Sequence, residues 1–190
     1  SIRILSPAGN WHILGIYTNN SNIPLQTPGE IVVDKRNSQW KWIPLCRVNT
    51  GIALIQDNGT PTKSNDDKTL YRNEWFDQYN TPIRPEFIYT LAQDHDNTIW
   101  VGTSKGLFTI PASVDFMTSN KCERIVIRRN DGTDLGDYLL DREQVNCIVV
   151  DGANRKWIGT AASGAFLIHI TTDEVGNKQV ETVEHFTAEN

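Results

Sequence analysis

Residues 148–160 read IVVDGANRKWIGT, and two earlier stretches follow the same pattern: IVVDKRNSQWKWI at residues 31–43 and LAQDHDNTIWVGT at residues 91–103. In each stretch an apolar residue lies three positions before an aspartate, an asparagine three positions after it and a tryptophan six positions after it. The aspartates are 60 and 57 residues apart, so one unit is repeated three times. The repeated positions are Asp34, Asn37 and Trp40 in the first unit; Asp94, Asn97, Trp100, Gly102 and Thr103 in the second; and Asp151, Asn154, Trp157, Gly159 and Thr160 in the third.

Each unit predicts a series of short antiparallel strands. The residues before the aspartate are mostly apolar and in two units β-branched, which is typical of a strand. Asp and Asn favour a tight turn after it, because Asn tolerates a left-handed backbone conformation. The stretch around the tryptophan alternates large apolar with small or polar residues, which is typical of a strand with one buried face. Gly51, Gly106 and Gly164 then each begin another apolar strand. Candidates for a fourth strand are residues 67–76, 121–129 and 180–188.

A unit of three or four short strands cannot bury both of its faces alone, so it must stack on copies of itself. The sequence therefore predicts an all-β fold: a β-propeller fragment of about three to four blades of four-stranded antiparallel sheet. Units start near residues 31, 88 and 145, with partial outer strands at 1–20 and 180–190. A sandwich would not repeat one Asp, Asn and Trp pattern at an almost constant period, and a solenoid coil would be shorter. The tryptophans are expected to pack between blades and the aspartates to anchor turns.

The first unit departs from the pattern, because Trp42 and Ile43 stand where the other units have Gly and Thr, and Pro44 follows near the end of the strand. Proline has no backbone donor for a sheet ladder, so this strand is expected to lie at an edge or to stop at residue 43. Propellers close with four to eight blades, so three units leave an incomplete ring. We expect the chain to be a piece of a larger propeller whose open edges self-associate.

Composition excludes several classes of protein. The chain has 190 residues with 38% hydrophobic and 22% charged, which indicates a folded domain. There are 18 basic and 23 acidic residues, and the one basic cluster is the short run at 124–129, which argues against nucleic acid as a partner. No window of 18 apolar residues predicts a transmembrane segment. Three cysteines far apart, without a C-x-x-C motif, predict free thiols rather than a disulfide framework or a zinc site.

No pattern in the sequence indicates catalysis, and no catalytic, cofactor-binding or metal-binding residue is assigned. The four histidines are scattered without ligand spacing. Residues 94–97, DHDN, lack the third acidic position, the glycine and the distant glutamate of a calcium loop, so a structural turn is the favoured interpretation, as for the polar loop at 130–134. Phosphate-binding glycine motifs and the G-x-S-x-G elbow are absent from the sequence. No cofactor is expected.

Surface loops are the remaining candidates for recognition. Two inserts, residues 60–85 and 111–143, lengthen the units, and aromatic residues on loops are common anchors in binding sites. The alternative is that some of these aromatics lie in fourth strands and pack inside. The aromatics in or beside the inserts are Tyr71, Trp75, Phe76, Tyr79, Phe87 and Tyr138.

The repeated pattern, I-x-V-D-x-x-N-x-x-W-I-G-T in its fullest form, resembles the two-component-regulator propeller repeat of sensory and surface proteins of Gram-negative bacteria. The longer stretch at 129–160, RNDGTDLGDYLLDREQVNCIVVDGANRKWIGT, with EHFTAEN at 184–190, resembles PorZ-like surface propellers of the type IX (Por) secretion system. The resemblance implies an exported multi-propeller protein, periplasmic or extracellular at the cell surface, whose repeats carry no enzymatic activity of their own. It implies protein or glycan ligands at the cell envelope.

Two other functions stay open. The same repeat forms the periplasmic, ligand-sensing propeller of hybrid two-component sensor histidine kinases, which respond to oligosaccharides. Blades in such sensors are near 40–45 residues, so the longer units here favour the surface protein. A carbohydrate-active enzyme would be favoured only if acidic residues converged on a central channel.

Overall fold

Three sheets of successive antiparallel strands form the body of the protein in a computed structural model, which describes residues 3–5, 11–13, 28–46, 50–60, 63, 65–128, 136–172 and 178–189. The first sheet has the order β3 (Val32–Val33), β4 (Trp40–Leu45), β5 (Gly51–Gln56) and β6 (Lys68–Arg72). The second has β9 (Ile88–Gln93), β10 (Ile99–Thr103) and β11 (Gly106–Ile110). The third has β14 (Val145–Val150), β15 (Lys156–Thr160), β16 (Ala165–Thr172) and β17 (Lys178–Phe186).

Three short hairpins accompany these sheets. They are β1 (Arg3–Leu5) with β2 (Trp11–Ile13), β7 (Trp75–Phe76) with β8 (Pro82–Ile83), and β12 (Val126–Arg128) with β13 (Gly136–Tyr138). The second and third hairpins lie in the two inserts that lengthen the units. None of the described residues is helical, so no helix in that part of the chain could cross a membrane.

The sheets pack face to face in the order of the chain. Strand β9 of the second sheet lies against β4 of the first and against β14 of the third. Alternate residues of β10 therefore serve different interfaces: Val101 packs with the first sheet's core cluster and Trp100 with the third sheet's. Both faces of the second sheet are thus buried, which is why β10 is buried along its whole length. This stacking of successive antiparallel sheets is a β-propeller arc, as the repeat predicted.

The fourth strands are formed unevenly. Strand β6 lies within the candidate segment 67–76, and β17 includes most of the candidate segment 180–188. In the second sheet only an isolated antiparallel bridge, between Thr109 and Glu123, takes the fourth position. The closing segment, predicted as a partial outer strand at 180–190, pairs with β16 as the edge strand of the third sheet. Of the opening segment 1–20, only β1 and β2 fall within the described residues.

Pro44 lies inside a central strand, so the expectation that this strand lies at an edge or stops at residue 43 was wrong. Strand β4 runs to Leu45 between β3 and β5. The Pro44 carbonyl accepts a hydrogen bond from the backbone N–H of Gly29 at 2.8 Å. In an antiparallel strand the backbone nitrogen and carbonyl of one residue point to the same side. The proline nitrogen, which has no hydrogen to donate, therefore faces the side of β3 and Gly29. On that side β4 pairs regularly only with the two residues of β3, so the proline interrupts little. On the other side Pro44 pairs with Ile52 of β5 as the sheet register requires.

Candidate binding cleft and the turns that frame it

The turn between β9 and β10 is built on the carboxylate of Asp94. Its Oδ1 accepts the backbone N–H groups of Asp96 at 3.0 Å and Thr98 at 2.9 Å, and its Oδ2 accepts the indole Nε1–H of Trp100 at 2.9 Å. Asn97 has a φ of 63°, the left-handed conformation that the reversal requires. One buried carboxylate therefore closes the turn and fixes the tryptophan of the next strand.

The third unit repeats this arrangement in a more exposed setting. Asp151 Oδ1 accepts the backbone N–H groups of Ala153 and Arg155, both at 2.9 Å, and Asn154 has a φ of 61°. The indole of Trp157 lies 3.4 Å from Asp151 Oδ2. Burial would raise the pKa of Asp151, but the hydrogen bonds from Arg155 outweigh it and lower the pKa.

In the first unit the structure places Trp42, rather than Trp40, at the position of the repeated indole. Trp42 pairs with Val32, two residues before Asp34, and its Nε1 donates to Asp34 Oδ2 at 3.1 Å. The turn is two residues longer than in the other units, and Asn37 does not adopt a positive φ. Pro44 consequently occupies the place of Gly102 in the strand register.

Asp34 is held by several hydrogen bonds around its carboxylate. Burial alone would raise its pKa, but hydrogen bonds from Arg36, Trp42 and Gln93 outweigh this and hold the pKa of Asp34 well below its ordinary value. The Arg36 guanidinium makes two of these bonds, at 2.8 and 3.1 Å. Asp34 is therefore a charged structural anchor.

A further turn of the same type was missed in the sequence. Asp77 Oδ1 accepts the backbone N–H groups of Tyr79 at 2.9 Å and Thr81 at 2.8 Å, and Asn80 has a φ of 62°. The D-x-x-N signal is present at residues 77–80, but Ile83 stands where the repeat has tryptophan, so a search aligned on tryptophan does not find it.

The Gly and Thr positions after the tryptophan have separate structural roles. A Cβ on Gly102 would lie 2.6 Å from Thr90 Cγ2 and 2.7 Å from Val145 Cγ1, so glycine permits the close approach of the third sheet. A Cβ on Gly159 would lie 2.5 Å from Cys147 Sγ. The hydroxyl groups of the two threonines, Thr103 and Thr160, donate to the carbonyls of Gly106 and Gly164 at 2.8 and 2.9 Å and close the next turn.

The turns also connect neighbouring sheets. Gln93 of the second sheet accepts the Lys35 backbone N–H at 2.7 Å and donates to Asp34 at 3.2 Å. Asn154 of the third sheet accepts the His95 backbone N–H and donates to Asp96 Oδ2, both at 2.9 Å. The turns of the first and second units therefore each use the sheet that follows as a hydrogen-bonding partner.

Two adjoining cavities form a cleft beside the turn of the first unit. The first, of about 350 Å³, is lined by Trp40, Arg36 and Phe116 among others, and the second, of about 570 Å³, by Tyr79 and Arg124 among others. The cavities share Ala112 and Ser113. Arg36 Nη1 donates to the Ala112 carbonyl at 2.9 Å and so connects the turn to this wall. Both volumes lie in the range of small-molecule sites.

The insert aromatics divide between core and surface. Trp75 is fully buried, whereas Tyr79 is 66% exposed at the cleft. Tyr71, Phe76, Phe87 and Tyr138 are partly exposed. Trp40, which was expected to pack, is partly buried against the core cluster of the first two sheets and also lines the first cavity. Its displacement from the repeat position was not predicted, because a second tryptophan follows two positions later.

Metal-ligating and reactive groups are dispersed. The described residues contain no group of three or more His, Cys, Asp or Glu side chains placed to hold a metal ion. None of the three cysteines, Cys46, Cys122 and Cys147, forms a disulfide. Burial, followed by the nearby Asp77 carboxylate, raises the pKa of Cys122 to about 12, so this thiol is protonated at neutral pH.

Comparison with known proteins agrees with this architecture. A family model described as "Two component regulator propeller" matches residues 82–105, which run from β8 to just past β10. No curated protein sequence matches the chain. Among solved structures, the chain is similar to PorZ of Porphyromonas gingivalis, described as an essential bacterial surface component of the type IX secretion system, with 25% identity and a TM-score of 0.73. The similarity covers 97% of this chain and 24% of PorZ, so the chain spans about a quarter of that protein's length.

Proposed function

We propose that this chain is part of a non-enzymatic binding or scaffold module in a cell-envelope β-propeller protein related to the type IX secretion surface component. The observation that carries the proposal is the similarity to PorZ over 97% of the chain at a TM-score of 0.73. In this proposal the module lies in the periplasm or at the cell surface, and the description of PorZ as a surface component supports the second location.

The cleft supplies the binding surface in this proposal. Tyr79 is 66% exposed on the Asp77 turn, and Trp40, partly buried at the start of β4, lines the first cavity. Arg36 donates to the Ala112 carbonyl in the wall that the two cavities share. Exposed aromatic side chains next to hydrogen-bonding groups are typical of surfaces that bind proteins or glycans. The aspartates of the three repeat turns are committed to backbone amides and indoles, which favours binding over acid–base chemistry at those positions.

The alternative function is ligand sensing by a hybrid two-component histidine kinase. The family model that matches residues 82–105 favours it, because its description refers to two-component regulators. In both functions the propeller binds a ligand, and the two differ in the process that follows binding.

The test uses the full-length gene in its native bacterium. Trp40→Ala and Tyr79→Ala would be introduced together, with Val183→Ala, an exposed position on the third sheet, as the matched control. We expect the cleft variant to reduce the export of type IX cargo proteins to the cell surface while protein levels stay unchanged. Normal export from a strain in which the gene is deleted would contradict the leading proposal, and loss of a transcriptional response to oligosaccharides in that strain would support the alternative.

A further inference from the structure

The turn at Asp77 lacks one hydrogen bond that the other aspartate turns make. In the three repeat turns the second carboxylate oxygen accepts an indole N–H, from Trp42, Trp100 or Trp157. The position six residues after Asp77 is Ile83, which has no donor. Asp77 Oδ2 has no hydrogen-bond partner within the described part of the chain, although the side chain is only 1% exposed.

A buried carboxylate oxygen without a donor is unfavourable, and native structures normally satisfy such atoms. Asp77 also lines a cavity of about 210 Å³, together with Gln78, Pro111, Lys121 and Glu123. This volume is smaller than that of drug-sized sites. It has room for one small polar group and the methylenes attached to it.

The nearby cations of the protein itself have other partners. The Lys121 ammonium donates to Asn80 Oδ1 and lies 5.8 Å from the centroid of the Phe76 ring. The Arg124 guanidinium forms an ion pair with Asp141 and stacks on the Tyr138 ring. The described residues therefore place no cation against Asp77 Oδ2.

The negative charge of Asp77 acts on its surroundings. Burial is the largest cause of the raised pKa values of Cys122 and Tyr138, and the Asp77 carboxylate is the next cause for both groups. The described residues do not supply the three or more His, Cys, Asp or Glu ligands that a metal ion would need here. An organic cation with N–H donors fits both the charge and the missing hydrogen bond.

We propose that the cavity beside Asp77 binds the cationic end of a lysine or arginine side chain, whose N–H group takes the place of the repeat's indole donor. This inference stands on the local geometry and does not depend on the proposed function. Free amines share the same chemistry, and the experiment below separates the two sources.

The experiment is an NMR titration of the ¹⁵N-labelled chain that follows the indole signal of Trp75, two residues before Asp77. The probes are Nα-acetyl-arginine amide, Nα-acetyl-lysine amide and putrescine, and the neutral control is Nα-acetyl-citrulline amide. We expect saturable shifts with a cationic amino-acid probe and at least roughly tenfold weaker binding of citrulline, because its ureido group keeps N–H donors but lacks the positive charge that strengthens a hydrogen bond to a carboxylate. Stronger binding of putrescine than of the amino-acid probes would assign the site to free amines.

Two variants test the role of the carboxylate. Asp77→Asn keeps an oxygen for the turn amides and removes the charge, and Asp151→Asn is the matched control in the third unit. Ile83→Trp restores the indole of the repeat and is expected to block the site. Equal shifts with citrulline and arginine amides, no shift with any cationic probe, or equal effects of the two Asn variants would overturn the proposal. If Asp77→Asn does not fold, the comparison of arginine with citrulline in the wild-type chain decides.

Discussion

The Lys156 ammonium of the third sheet lies 3.2 Å from Asp94 Oδ2 of the second sheet, and the two side chains are 2% and 3% exposed. The same ammonium donates to the Asn154 carbonyl at 2.8 Å and lies 5.1 Å from the centroid of the Trp100 ring. Asp94 therefore receives two turn amides, an indole and an ammonium from the neighbouring sheet. The ion pair therefore joins the aspartate turn of the second sheet to a strand of the third sheet.

Replacing Lys156 by methionine should lower the free energy of unfolding by about 3 kcal/mol, since breaking a buried ion pair leaves a buried charge unbalanced. Urea denaturation followed by tryptophan fluorescence measures the change. The control is Arg84→Met, which removes an ion pair with Glu74 in which the arginine is 73% exposed and should have little effect. Wild-type stability of the Lys156 variant would show that this pair does not support the interface.

Gly102→Ala should destabilise the protein by about 1–3 kcal/mol, because the added methyl group overlaps Thr90 and Val145 at the contact between the second and third sheets. Gly152→Ala is the matched control, since a Cβ at Gly152 meets no atom within 4 Å. Thermal unfolding of both variants compares them directly. Equal melting temperatures would mean that the sheets are not as close as the structure places them.

Asp34 should make stability depend on pH in the acid range. Because its pKa is lowered in the folded state, its contribution is present above the unfolded-state pKa of about 4 and is lost as pH falls toward the folded-state value. We expect Asp34→Asn to lower stability at pH 7 and to flatten its decline below about pH 4. Urea midpoints measured from pH 7 to pH 2 give both slopes, and parallel curves for wild type and variant would argue against this role.

The third sheet exposes apolar side chains where the other sheets are covered. Trp157 is 38% exposed, compared with 3% for Trp42 and 1% for Trp100, and Val149 and Phe186 are exposed near it. We propose that a second copy of the chain covers this face. Light scattering should show a mass that rises with concentration, and Trp157→Glu should remove that rise. A monomer of constant mass at every concentration would contradict self-association.

The sequence was sufficient to predict a turn after each repeated aspartate, and in the second and third units Asn97 and Asn154 adopt the left-handed conformation that was expected. The same spacing in the first unit gives a longer turn, in which Asn37 does not. The sequence was not sufficient to predict the register of the first unit, since Trp40 and Trp42 both satisfy an apolar pattern and only strand pairing distinguishes them. The prediction for Pro44 failed because the proline's missing donor faces a side with little regular pairing. Asp77 was missed because its turn lacks the indole, and the buried position of Lys156 depends on a neighbouring sheet that periodicity does not describe.

The most direct test of the architecture is hydrogen exchange at the individual indole N–H groups, followed by NMR. If the aspartate turns hold their indoles between stacked sheets, Trp42 and Trp100 will exchange slowly, while Trp40, which lines the cleft, will exchange quickly. Slow exchange at Trp40 combined with fast exchange at Trp42 would contradict the account, because it would place the first unit in the register that its sequence suggests.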